Sequence, residues 1–245
     1  MSATFLFPDS KDFSPDLKEV ARYLGYRKAA GPDVDVKALM EKAAQEMQAV
    51  MKPQAVFEVF ELTVNTVVEL VETTAEVGSD GGFDKLNHPK VSFADVSLKS
   101  KDLGTNLAGC SQVALLAATI GPQVDALIRR HSTVNPVYAS ILQATGAMFI
   151  EEVVDLVNNE IKKIAASQGL KTKPRYSPGF GDVPLEVQKD FFRLLPCTRI
   201  GLTLMDTLIM APEKSVTAFV GLFQTRTIET VKTVGELSCN LNKFC

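Results

Sequence analysis

Apolar residues recur at helical spacing over several stretches of this chain, separated by shorter runs of β-branched and aromatic residues. From Pro15 to Tyr26, Leu17, Val20, Ala21 and Leu24 share one side of a helix, and Ser14 ahead of Pro15 offers a cap. Gly31-Pro32-Asp33 breaks the pattern, and Val36 to Met51 resumes it through Leu39, Ala43, Met47 and Met51 until Pro53. The texture then changes. Ala55 to Glu72, with Val56, Phe57, Val59, Phe60, Leu62 and Val64, predicts one or two strands, and Gly78 to Gly82 predicts a loop. Val91 to Phe93 is a short strand, Ser100 to Leu107 opens a helix, and Val113 to Thr119 reads as a buried strand ending at Gly121-Pro122. Pro136 to Ser167 is the longest helical stretch, interrupted but not ended by Gly146. Leu185 to Leu195 follows as an amphipathic helix after Pro184, and Ile200 to Leu204 and Val216 to Leu222 complete the strands. No repeat, heptad array or linker divides the pattern. One domain over residues 1–224 with a C-terminal tail over 225–245 is the simplest organisation.

Composition narrows this picture. With 46% hydrophobic and 22% charged residues the chain is of ordinary globular type, and a net charge of −3 leaves no electrostatic footprint for nucleic acid. Apolar runs such as Val113 to Ile120 are too short to span a membrane, and the first ten residues lack the features of a signal peptide. A cytoplasmic protein is expected. Of the four cysteines, Cys110 reads as a small core residue, while Cys239 and Cys245 bracket the tail. Their spacing fits no common metal pattern, and His88 and His131 form neither a metal cluster nor a nucleophilic triad. No catalytic residue and no metal ligand is assigned. Thr119-Ile120-Gly121 before a helix lacks the glycines and lysine of a nucleotide loop.

The chemistry concentrates in Arg175-Tyr176-Ser177-Pro178-Gly179-Phe180-Gly181-Asp182. Proline fixes one backbone angle and glycine permits positive φ and close approach of a ligand, so this is a shaped loop. The guanidinium beside it is a planar fork suited to a carboxylate. The plain alternative is a tight turn with an incidental arginine.

This loop resembles the S-adenosylmethionine-binding activation domain of cobalamin-dependent methionine synthase. That family carries an arginine, a Pro-Gly-aromatic turn and a proline opening a helix, here Arg175, Pro178-Gly179-Phe180 and Pro184. A second block, Ile200-Gly201-Leu202-Thr203-Leu204 followed by Met210-Ala211-Pro212 and Ser215-Val216-Thr217, is similar to the family's later motifs. Arg22 to Tyr26 and Thr119-Ile120-Gly121 agree more weakly. The spelling Ser-Pro-Gly-Phe-Gly-Asp is closest to stand-alone members.

The resemblance implies an α+β fold, a single domain with an antiparallel sheet and long helices. It also implies a subunit that supports reductive methylation of cob(II)alamin on a partner methionine synthase. S-adenosylmethionine would be bound, cobalamin would arrive on the corrinoid-carrying partner, and a flavodoxin or ferredoxin would donate electrons. Arg175 would take the ligand carboxylate, and backbone around Ser177, Gly179 and Phe180 would contact it. Tyr176 or Phe180 would stack. The family's ligand-binding glutamate corresponds to Glu151 rather than Glu152 when Ile161-Lys162-Lys163-Ile164 sets the register; both glutamates on a solvated face is the plain alternative. Asp102 suits a helix cap or a ligand contact. Phe180 replaces the tyrosine of the large synthases, which removes any hydroxyl contact to the corrinoid while keeping the ring. Two other functions remain open from sequence: a non-catalytic S-adenosylmethionine-binding accessory protein for another corrinoid methyltransferase, and an unrelated thiol or metal enzyme using Cys239 and Cys245.

Overall fold

The computed structural model describes residues 2–27, 31–66 and 89–224. The glycine-rich stretch 78–82, His88, Cys239, Cys245 and the tail 225–245 lie outside the described residues. In chain order the elements are β1 (Thr4–Leu6), α1 (Leu17–Tyr23), α2 (Val34–Val50), β2 (Gln54–Thr66), β3 (Pro89–Phe93), β4 (Val96–Lys99) and α3 (Lys101–Asn106). They continue with β5 (Cys110–Thr119), α4 (Pro122–Val134), α5 (Pro136–Ser167), β6 (Leu170–Thr172), α6 (Gln188–Leu194), β7 (Thr203–Leu204), β8 (Met210–Ala211) and β9 (Ser215–Gln224).

The described residues form a seven-stranded antiparallel sheet in the order β4-β3-β2-β5-β9-β6, with β1 added beside β2. β2 stays a single long strand because β5 pairs along one edge from Gln54 to Glu61, while β1 and β3 divide the other. The central strands β5 and β9 are buried on both faces, which is why Val113 to Ala118 carries a continuous apolar run rather than an alternation. Side chains sort by strand parity. Phe57, Leu116, Ala118, Ala218 and Val220 meet α1, α2, α4 and α5 on the first face. Val56, Val113, Leu115 and Phe219 meet α3 and α6 on the second. The long helices therefore sit on one face of the sheet, an α+β arrangement as expected.

α5 is the first-face spine. Asn135 caps it, its side-chain Oδ1 accepting from the Tyr138 N–H at 3.0 Å, and Pro136 occupies the first turn, where a missing N–H costs nothing. Its residues Tyr138, Leu142, Thr145, Phe149, Val153 and Val157 are buried along the helix. α5 has the length and mean hydropathy, 1.2, of a membrane span, but 67% of that window is buried within this protein. Gly146 lies inside it, as expected, where the aliphatic stem of Lys214 crosses the helix.

Local chemistry moved several boundaries. α1 is capped by Asp16 rather than Ser14, because the Asp16 carboxylate reaches two amides, Lys18 at 2.8 Å and Glu19 at 3.3 Å. The helix from Leu185 divides into a 3-10 turn, Leu185–Val187, and α6. Ile200 to Leu204 is not a strand. Cys197–Ile200 is a 3-10 turn closed by Gly201 at φ +68°, which leaves only Thr203 and Leu204 to pair with β8. Ile200 and Leu202 are buried two residues apart in a turn, and that spacing imitates strand alternation.

Candidate functional site

After β6 the chain keeps following the edge of β9. The Lys173 N–H donates to Gly221 O at 2.8 Å, and Tyr176 and Phe219 exchange backbone hydrogen bonds of 3.0 and 2.7 Å. Consecutive residues along such an edge point to opposite faces. Arg175 accordingly turns toward α5, and Tyr176 packs against the second-face core.

On the α5 side, Arg175 Nη2 donates to Glu151 Oε2 at 3.0 Å, and Nη1 donates to Asp155 Oδ1. Glu151 and Asp155 are four residues apart, so one helix face presents both carboxylates. Two carboxylates against one guanidinium leave this cluster with one net negative charge. Arg175 is 24% exposed, Glu151 45% and Asp155 61%, so all three reach solvent. Glu152 turns elsewhere: burial raises its pKa, reinforced by the negative charges of Asp155, Asp16 and Glu19. Of the two candidate glutamates, Glu151 is the one beside the arginine. Asp155 was not anticipated, although its i+4 relation to Glu151 was readable from the sequence.

Beyond Tyr176 the chain makes a compact turn. Phe180 N–H donates to Ser177 O at 3.3 Å, Val183 N–H to Phe180 O at 3.1 Å, and Gly179 N–H to Val183 O at 3.0 Å. Gly179 and Gly181 have φ of +86° and +54°, values that disfavour any side chain. A β-carbon on Gly181 would also overlap the Asp102 carboxylate and the Tyr176 hydroxyl. The Tyr176 hydroxyl donates to Phe180 O at 3.3 Å, so Tyr176 braces the turn. Burial raises its pKa, with the charges of Asp102 and Asp182 acting in the same direction. The Phe180 ring is left 68% exposed.

α3 holds both ends of this loop. Asn106 donates to Pro174 O at 3.4 Å. At the other end the Asp182 carboxylate accepts from Ser100 Oγ, from the Lys101 N–H at 2.6 Å and from the Asp102 N–H at 3.2 Å. Asp102 returns the contact by accepting from the Asp182 N–H at 3.3 Å. The α3 cap is Ser100, whose hydroxyl accepts from Leu103 N–H at 3.0 Å, so Asp102 is a loop anchor rather than the cap. Desolvation works against the Asp182 carboxylate, but the donors outweigh it and hold its pKa below the ordinary aspartate value. A depressed carboxylate stabilises the fold above its unfolded pKa and loses that contribution as pH falls through the folded value. Asp182→Asn should therefore lower the melting temperature near neutral pH. The gap to the parent protein should narrow progressively as the pH falls below the ordinary carboxylate range. A gap that stays constant in thermal melts across that range would show that Asp182 carries no charge-dependent hold.

Two further features bound the chemistry. Burial drives the Cys197 thiol up to about 12, and burial likewise raises Cys110, so neither is a ready nucleophile. A cavity of about 780 Å³ lies between α1 and α2, lined by residues including Leu17, Ala21, Tyr26 and Met40, and neither Arg175 nor its loop belongs to it.

No family model matches this chain, and no curated protein matches it. Among solved structures it is similar to a reactivation domain, over 90% of its own length and 78% of the other chain, with a TM-score of 0.56. At 14% identity the likeness is one of fold. It establishes the α+β fold, in agreement with the fold implied by the resemblance carried by the Arg175 loop. The neighbour itself is the MetH reactivation domain, in a crystal structure bound to AdoHcy.

Proposed function

We propose that this chain binds S-adenosylmethionine beside Arg175 and Glu151 and presents its methyl group to a corrinoid carried by another protein. The observation that carries this reading is the juxtaposition of a guanidinium and a carboxylate at 3.0 Å beside a glycine-bearing turn. An amino-acid head group carries the complementary pair. Arg175 donates to its carboxylate, and Glu151 accepts from its ammonium. Gly179 leaves the backbone open to close approach, with Ser177 O fixing the turn and Tyr176 bracing it from below. The exposed Phe180 ring offers a face to the adenine or to the sulfonium, whose positive charge a ring quadrupole attracts. A structural neighbour crystallised with AdoHcy supports the same ligand class.

The partner would be a corrinoid-bearing methionine synthase subunit in the cytoplasm. One electron from a donor such as a flavodoxin or ferredoxin converts cob(II)alamin to cob(I)alamin. The cobalt then takes the methyl group as the sulfur–methyl bond breaks, and the electrons of that bond stay on sulfur. Methylcobalamin and S-adenosylhomocysteine result. Cob(I)alamin needs no activation as a nucleophile, so this domain contributes placement: it holds the sulfonium in line with the metal and excludes other orientations.

Reconstitution tests the reading. The protein, a corrinoid-bearing synthase subunit, a reductant and S-adenosylmethionine labelled in its methyl group should yield labelled methylcobalamin. The yield should depend on this chain. Ligand binding without methyl transfer would reassign the chain as a non-catalytic accessory protein. Failure to bind the ligand would reject both.

A further inference from the structure

Arg175 is not an empty fork. Both of its terminal nitrogens are engaged, Nη2 by Glu151 and Nη1 by Asp155. A ligand carboxylate needs donors from the same guanidinium, and its own charge would be repelled by two carboxylates already in place. The two are unequal competitors. Asp155 is the more exposed, at 61% against 45% for Glu151, so it can exchange its partner for water at lower cost.

We infer that Asp155 is an internal stand-in for the ligand's carboxylate: it occupies one arm of Arg175 until an amino-acid head group displaces it, while Glu151 stays to receive the ammonium. The inference rests on the ligand reading above and adds a built-in competitor to it. A ligand bearing an α-carboxylate and an α-ammonium can replace the Asp155 contact and gain a partner at Glu151. A nucleoside thioether without that head group can do neither. Asp155 therefore weakens binding of the correct ligand slightly and keeps the guanidinium paired until that ligand displaces it. Glu151 and Asp155 share the same arginine and the same helix face, yet they have opposite effects on affinity.

That opposition is the test. Dissociation constants for S-adenosylhomocysteine and for 5′-methylthioadenosine, which lacks the amino-acid head, are measured by calorimetry on the full chain and on Asp155→Ala and Glu151→Ala. Both replacements sit on an accessible helix face, where alanine is the best helix former, so folding is retained. Asp155→Ala should tighten S-adenosylhomocysteine about five-fold, the scale of one exposed ion pair, and leave 5′-methylthioadenosine unchanged. Glu151→Ala should weaken S-adenosylhomocysteine at least about ten-fold. Unchanged or weaker S-adenosylhomocysteine binding by Asp155→Ala would overturn the inference while the ligand reading stands. Equal tightening of both ligands would also overturn it, because the effect would then be general. No binding of S-adenosylhomocysteine by the parent chain would remove the ligand reading and this inference together.

Discussion

Arg175→Ala should weaken S-adenosylmethionine binding roughly 30- to 150-fold while lowering the melting temperature by no more than about 8 °C. The affinity loss follows from removing the cationic fork bonded to Glu151, a charge-assisted pair worth about 2–3 kcal/mol to a bound carboxylate. The stability cost is small for a different reason. Arg175, Glu151 and Asp155 all reach solvent, so truncation leaves two hydrated carboxylates rather than two buried charges. Exposed pairs of this kind contribute up to about 1 kcal/mol each. Arg175→Lys refines the test. It keeps the charge but loses the planar fork, so it should recover only part of the affinity. Calorimetric titration and a thermal melt together decide the matter. Unchanged affinity in Arg175→Ala would remove the arginine from the site.

The largest stability effect is expected at Phe219→Ala. This side chain is fully buried, and its ring meets Phe191 and Phe93 edge-on at centroid distances of 4.8 and 5.6 Å. Truncation removes a large apolar volume from the centre of the second-face core and should cost about 3–5 kcal/mol. In a chain of this size that corresponds to roughly 6–20 °C in melting temperature. The same residue holds the loop through its backbone exchange with Tyr176, so core and site share an anchor. Urea unfolding should show a lower midpoint at unchanged slope. A midpoint shift equivalent to less than about 1 kcal/mol would mean that the aromatic cluster does not bear this load.

Much of this molecule was readable one residue at a time. The bounds of α5, Pro136 to Ser167, coincide with the expected stretch, because proline at the start and a long apolar face are local signals. β5 and β9 were legible for a similar reason: strands buried on both faces need unbroken apolar runs. The loop was legible through its proline and glycines, and Gly179 and Gly181 do adopt the positive φ that such residues permit. Ile200 to Leu204 misled because burial at Ile200 and Leu202 came from the neighbouring core rather than from pairing. β1 escaped notice because three residues carry no periodicity, and its place depends on the free edge of β2.

The candidate site divides the same way. Arg175 and Glu151 could be named from the sequence, as could the turn after Tyr176, since each rests on residue chemistry or on a motif. Asp155 and the Asp182 hold on α3 could not. Their importance comes from distances between segments far apart in the chain, 20 residues from Asp155 to Arg175 and 82 from Ser100 to Asp182. Sequence by itself determined the long helices, the doubly buried strands and the Arg175 loop, and which side chain could grip a carboxylate. Only the tertiary structure decided what that side chain grips, because charge pairing falls off within a few ångströms and such distances exist only after the sheet edge and α5 have packed together.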